Sequence, residues 1–290
     1  MRSCQWFALI CVLVVLSGKL QCCHPYSSSG ASAYEQCLAQ TPENPNWGYE
    51  PENGPSTWGG LCTCGKHQSP INIQKDWFNG NSAITFGNYD STGPLTMTNT
   101  GHTVVISGFD NWAHQPYISD GGLGTKYRLY QFHFHWSQNA AASSEHTVDG
   151  QFFDAELHMV HVKDAFSFGQ ARAISDGIAA LGIFYKIGFD GRSILALQNG
   201  LNEVTSNGAS STNIANFVPA VNLPDDLGRF FRYNGSFTAP PGCPEDVVWL
   251  IFARPLSITS NQLTLLRAIL GANGKPISPV RPVQHYSGQL

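Results

Sequence analysis

Apolar and polar positions along this chain fall into short runs separated by turn residues. The runs at 95–97, 102–107, 127–136, 155–162, 178–185 and 247–253 are rich in β-branched and aromatic side chains. That rhythm predicts a mostly β protein built on one large, mainly antiparallel, twisted central sheet. Helical periodicity is scarce, so only a few short peripheral helices are expected. The clearest spans 260–270, with Ser260 as its cap, Leu263, Leu266 and Ile269 or Leu270 on one face, and Gly271 at its stop. A second, at 193–203, is weakened by Gly200. Residues 24–46 are rich in Ser, Pro, Gln and Asn and read as a loose leader, while denser patterning starts at Trp47. No internal repeat or linker divides 47–290, which is expected to be one domain.

Composition narrows the class. Of 290 residues, 42% are hydrophobic and only 12% charged, and there are 29 Gly and 17 Pro. Charge is half the usual ~25%, which suits a turn-rich β protein better than long surface helices. The net charge of −4 comes without a basic cluster, which disfavours nucleic-acid binding. At the N-terminus, Arg2, an apolar run at 7–16 and Ser17-Gly18 form an export signal over 1–23, with cleavage expected at about 18–23. The alternative, a membrane anchor, needs ~20 apolar residues, and this run has ten. A secreted or lumenal protein without a membrane span follows. Cysteine usage agrees with an oxidising compartment. Loss of Cys4 and Cys11 with the signal leaves six cysteines, and cleavage after Cys22-Cys23 leaves four; Cys37, Cys62, Cys64 and Cys243 are then the disulfide candidates, and the sequence permits three connectivities. Zinc binding by Cys62-Thr63-Cys64 is a poor reading, because no second cysteine pair follows.

The densest chemistry lies in Gln131-Phe132-His133-Phe134-His135-Trp136. On a strand, residues two apart share a face, so His133 and His135 project together while Phe132, Phe134 and Trp136 pack on the other side. The run Ala155-Glu156-Leu157-His158-Met159-Val160-His161 aligns Glu156 with His158 in the same way. The polar connection 137–153 suits two neighbouring antiparallel strands, which would bring a third imidazole to the first two. Three neutral His ligands with one open position are the pattern of a catalytic zinc. His161 faces away and reads as a core or surface histidine. Gln131 and Glu156 stand where they can accept hydrogen bonds from the distal ring nitrogens of His133 and His158.

Through these strands and further motifs, the chain resembles the α-class carbonic anhydrases. Gly65-Lys66-His67-Gln68-Ser69-Pro70-Ile71-Asn72-Ile73, the two histidine strands, Ser144-Glu145-His146-Thr147-Val148-Asp149-Gly150 and Asn234-Gly235-Ser236-Phe237-Thr238-Ala239-Pro240-Pro241 appear in family order, and the resemblance runs from Trp47 to Gln284. It implies a zinc (Zn2+) enzyme for the reversible hydration of carbon dioxide to bicarbonate and a proton, by attack of zinc-bound hydroxide, with esterase activity as a minor secondary reaction. It implies His133, His135 and His158 as zinc ligands and Thr238 as the residue that accepts a hydrogen bond from the hydroxide. Glu145 would take the Thr238 proton, and His102 would shuttle protons to solvent. Ser69, His146 and Tyr233 correspond to a buried network behind Glu145. Tyr49 and Trp58 correspond to aromatics of the cavity and N-terminal segment. Val160, Ala180, Phe237, Val247 and Trp249 correspond to an apolar wall for carbon dioxide. Secreted relatives imply a Cys64–Cys243 disulfide, leaving Cys37 to Cys62, with Cys62 a close competitor for Cys243.

Some positions depart from the family pattern. Ala180 is smaller and Phe237 larger than usual, Ala239 replaces a hydroxyl residue, and one extra residue lies between Pro241 and Trp249. A catalytically silent binding module is the first rival reading, but such a module typically lacks a zinc histidine, and all three are present. A structural role in a mineral matrix finds no acidic tract to support it. Asn234-Gly235-Ser236 is a glycosylation sequon whose place beside Thr238 predicts burial and argues against modification.

Overall fold

The alternating runs assemble as expected into a dominant sheet. The computed structural model describes residues 32–41, 43–77, 83–206 and 210–286. The segment 1–23, expected from its sequence to be an export signal, lies outside the described residues with Cys4, Cys11, Cys22 and Cys23. The strands are β1 (Asn72–Ile73), β2 (Ile84–Gly87), β3 (Gly93–Asn99), β4 (Val104–Ser107), β5 (Tyr117–Asp120), β6 (Tyr127–His135), β7 (Thr147–Val148), β8 (Ala155–Lys163), β9 (Ile178–Ile187), β10 (Ser211–Phe217), β11 (Phe230–Ser236), β12 (Glu245–Phe252) and β13 (Leu256–Ile258). The α-helices are short: α1 (Ala33–Gln40), α2 (Leu61–Cys64), α3 (Phe168–Ala171), α4 (Arg192–Leu195), α5 (Gln198–Glu203) and α6 (Ser260–Arg267).

Eleven strands form one sheet, whose main path runs β10-β3-β4-β6-β8-β9-β12-β11. Most pairs are antiparallel, but β9 pairs in parallel with β12 and β13, so the sheet is mixed. Each predicted strand is present. One face carries Phe132, Phe134, Trp136, Leu157, Met159, Leu181 and Leu250 in the larger core. The other carries Val160, Ala180, Val247, Trp249 and Ile251. A bulge in β6 between Leu129 and Gln131 makes this division possible. Tyr127 and Leu129 share the larger core with Phe132 and Phe134, although their parity differs. The extra residue shifts the phase of the strand and turns Gln131, His133 and His135 to the opposite face.

The helices differ from the sequence reading in detail. The cap of α6 is Thr259, not Ser260, in a reciprocal box with Gln262. The 193–203 candidate is two helices, α4 and α5. Gly200 sits where a Cβ would meet Ile214 Cδ1 at 2.7 Å, so α5 packs closely on the sheet and a side chain there would have to displace the tip of Ile214. Nor is the leader wholly loose: α1 forms within it, started by a Ser32–Glu35 capping box.

The expected Cys64–Cys243 and Cys37–Cys62 pairs are not formed. Cys62 joins Cys243, and Cys37 joins Cys64. The reason is local. Leu61–Cys64 makes one helical turn, in which residues two apart point about 200° from each other. Cys62 therefore faces the buried cluster with Trp58 and Cys243, and the less buried Cys64 reaches Cys37 on α1.

Candidate metal centre

The site begins with register. His133 on β6 lies directly opposite His158 on β8, and His135 lies opposite Glu156. The ring centroids of His133, His135 and His158 stand 4.9, 5.4 and 4.2 Å apart, and one ring nitrogen from each falls within a 4.8 Å cluster. His133 is only partly covered, whereas His135 and His158 are buried.

The other ring nitrogens are engaged. Gln131 Oε1 lies 3.0 Å from His133 Nδ1, and Glu156 Oε1 lies 2.8 Å from His158 Nε2, both as expected from the two-residue spacing. His135 Nδ1 lies 2.6 Å from the carbonyl oxygen of Pro279, a partner that residue spacing did not reveal. These contacts leave His133 Nε2, His135 Nε2 and His158 Nδ1 for a common ion. His135 Nε2 is buried without any hydrogen-bond partner, so it is a donor atom in need of a ligand.

Electrostatics suit the same role. Burial pushes the His133 imidazole down to about 3, with His158 adding to the effect. Burial, then His158 and His133, hold His135 well below its ordinary value, and burial also lowers His158. All three are neutral near pH 7, as metal ligation requires. Burial alone would raise Glu156, but His146 and His158 together hold its carboxylate well below the usual range. This donor set fits a divalent cation, and the cluster His133, His135 and His158 could hold one.

Glu156 is the hub of a buried network. Its Oε2 accepts the backbone N–H groups of Glu145 and His146 at 3.0 and 2.8 Å, and its Oε1 lies 2.6 Å from His146 Nδ1. From His146 the chain runs through the Tyr233 hydroxyl at 2.6 Å to Ser69 Oγ at 2.7 Å. The expected network of Ser69, His146 and Tyr233 is thus present, but it ends on the Glu156 carboxylate and meets Glu145 only through its backbone. Space for Glu156 comes from Gly182 across the strand pair, where a Cβ would sit 2.4 Å from Ile251 Cδ1 and 3.3 Å from Glu156 Oε1. Glu156→Gln should leave the fold intact and weaken metal affinity by ~10–100-fold, because His158 loses its charged acceptor. Metal titration checks this, and unchanged affinity would contradict it.

Glu145 is fully buried, and its Oε1 accepts the Arg281 backbone N–H at 2.8 Å. Burial, and then the nearby Glu156, push its carboxyl well above the ordinary range, opposed by Thr238 and Arg281. A cation held by the neighbouring histidines would favour its ionised form. Thr238 is 5% exposed, in the loop after β11.

The apolar wall assembles across three strands. Val160 pairs with Ala180, and Ala180 with Trp249. Val247 belongs to the same cluster, and Phe237 packs against it. The Trp249 ring lies 4.6 Å from His158, which brings this wall to the histidines.

His102 lies just before β4, whose Val105 pairs with His133. Its ring stacks on Trp47 at 3.8 Å and 13°, is partly exposed, and has its pKa lowered by burial. His161 points the other way, into the core, bonded to Tyr89 with its Nε2 2.5 Å from the hydroxyl.

Two arginines escaped the sequence reading. Arg281 is buried, and its guanidinium donates to Gln68 Oε1 and to the carbonyls of Ser69 and Cys62, joining Glu145 to the disulfide turn. Arg172 donates to the Pro241 carbonyl at 3.0 Å while its guanidinium lies 5.7 Å from the Phe168 ring and 5.3 Å from that of Phe237. It braces the loop that carries Thr238. Long-range partners of this kind leave no local spacing signal.

Comparison with known proteins agrees with this geometry. The family model for eukaryotic-type carbonic anhydrases matches residues 53–289. Carbonic anhydrase 1 of Mus musculus is 37% identical over 255 residues, covering 84% of this chain and 96% of the relative. Carbonic anhydrase 3 of Sus scrofa is 35% identical over 254 residues, again covering 84% of this chain and 96% of the relative. A β scaffold that aims three neutral imidazoles at one point, matched in sequence over most of its length, places this chain in the eukaryotic-type, α-class carbonic anhydrase family.

Proposed function

We propose that this chain hydrates carbon dioxide to bicarbonate with a zinc ion held by His133 Nε2, His135 Nε2 and His158 Nδ1. The observation that carries the reading is the convergence of three neutral imidazoles, one with a buried and unpartnered nitrogen, beside an apolar wall. Zinc bound there would lower the pKa of coordinated water far below that of bulk water, to near 7, the known behaviour of the carbonic anhydrase metal, and so supply a hydroxide nucleophile.

The protein's own groups do the rest. Glu145, ionised, accepts the Thr238 hydroxyl proton and fixes the direction in which the Thr238 oxygen lone pairs face. Val160, Ala180, Phe237, Val247 and Trp249 keep water from one side and receive a nonpolar substrate, which a charged product then leaves readily. Gln131 and Glu156 orient His133 and His158, and Ser69, His146 and Tyr233 orient Glu156. His102 accepts a proton from the cavity and releases it to solvent. The segment 1–23 directs export, and the two disulfides suit an oxidising compartment.

Because the attack on carbon dioxide and proton removal are separate steps, His102→Ala should split the kinetics. Maximal turnover in dilute buffer should fall, kcat/KM should stay nearly constant, and added imidazole should restore turnover. Stopped-flow hydration at several buffer concentrations reads both quantities. Full turnover in weak buffer, or equal loss of both parameters, would remove His102 from the proton route.

A further inference from the structure

The sequon Asn234-Gly235-Ser236 is the chain's single Asn-X-Ser/Thr triplet, and its surroundings overturn the expectation of burial. Asn234 is exposed on β11, which ends the main path of the sheet and, among the described residues, pairs with β12 alone. Its side-chain amide makes no hydrogen bond among the described residues. The other two residues are fixed by packing. At Gly235 a Cβ would fall 2.2 Å from Ser69 Oγ and 2.6 Å from the Tyr233 ring. Ser236 is fully buried, with its hydroxyl accepting the Ser69 N–H at 2.9 Å and donating to the Phe237 carbonyl at 2.7 Å. Packing therefore accounts for Gly235 and Ser236, while nothing in the fold calls for Asn at 234. An exposed strand position is among the poorest places for Asn on propensity alone.

We propose that Asn234 is an acceptor for an N-linked oligosaccharide. The inference rests on the export reading of 1–23, since the transfer takes place in the lumen. The donor is an oligosaccharide carried on a lipid pyrophosphate. Asn234 Nδ2 forms the bond to the anomeric carbon and loses one proton, the bond from that carbon to the phosphate oxygen breaks, and the lipid pyrophosphate leaves with the electron pair. Transfer acts on the chain before folding, when the Ser236 hydroxyl is still accessible. Afterwards only the Asn234 side chain must remain outside, and it does. A bulky, hydrated group there would cover the open edge of β11, which otherwise offers a template for pairing with another strand.

The test is to secrete the full chain from a eukaryotic host and treat it with an amidase that removes N-linked glycans and converts the acceptor Asn to Asp. The wild type should lose the mass of one glycan, and peptide mass spectrometry should find Asp at 234. Asn234→Gln should run at the deglycosylated position, ignore the amidase and keep wild-type hydration activity. The peptide reading of the wild type stands even if that variant folds poorly. A secreted wild type with unmodified Asn234 would overturn the site alone. A chain retained in the cytosol with 1–23 intact would overturn the export reading and the site with it.

Discussion

His158→Ala is expected to abolish stoichiometric metal binding and reduce carbon dioxide hydration to the buffer background. His133 and His135 would remain as two ligands on one strand, and two imidazoles from one side cannot close a tetrahedral site. The substitution also takes from Glu156 one of the two imidazoles that hold its buried carboxylate ionised, so some loss of stability should accompany the loss of metal. Metal analysis of the purified variant, with a melting curve to show that it is folded, reads both effects. Full zinc occupancy in a folded His158→Ala protein would defeat the ligand assignment.

The second large effect is expected from Cys62→Ser. The Cys62–Cys243 bond closes a sequence separation of 181 residues and ties the turn before Gln68 to the loop after Thr238. Removing it should cost about 2–5 kcal/mol, and a drop of roughly 5–15 °C in Tm follows at this size. Its neighbourhood amplifies the loss, because the Cys62 carbonyl also accepts from Arg281. Cys64→Ser should cost less. Its bond to Cys37 spans 27 residues and holds α1, none of whose residues is buried. Thermal denaturation orders the two variants, and non-reducing peptide mapping reads the connectivity. An unchanged melt for Cys62→Ser, or a map that joins Cys64 to Cys243, would contradict the account.

The disulfide correction shows where local sequence loses its grip. The residues Leu61–Cys64 carry no helical periodicity long enough to reveal a single turn, yet that turn alone decides which cysteine faces inward. The histidine strands were legible because period two is strictly obeyed on each side of the site, and because Gln131 and Glu156 sit on the same period as the ligands they orient. Even there, the bulge at Leu129–Gln131 was marked only by a change of phase, with Tyr127 and Leu129 against Phe132 and Phe134. Strand β10 escaped notice because only Ile214 and Phe217 of its residues are buried, so its pattern is polar. Strand β11 was seen as part of a motif rather than as a strand. The Pro279 carbonyl that holds His135, and the two arginines that brace the site, act across 144, 136 and 69 residues of sequence, and chain folding alone reveals such contacts. The exposure of Asn234 belongs with them, since the same stretch of β11 buries Ser236 and leaves Asn234 at the surface.

The central claim is that one zinc ion, held by His133, His135 and His158, makes this chain a carbon dioxide hydratase. Stopped-flow hydration by the purified protein, with metal content measured before chelation, after it, and after zinc is returned, tests that claim most directly. The account predicts close to one zinc per chain in the active protein, loss of activity in step with loss of zinc, and recovery in step with its return. Hydration that persists in metal-free protein, or a chain that holds zinc at these histidines and yet does not hydrate carbon dioxide, would contradict it.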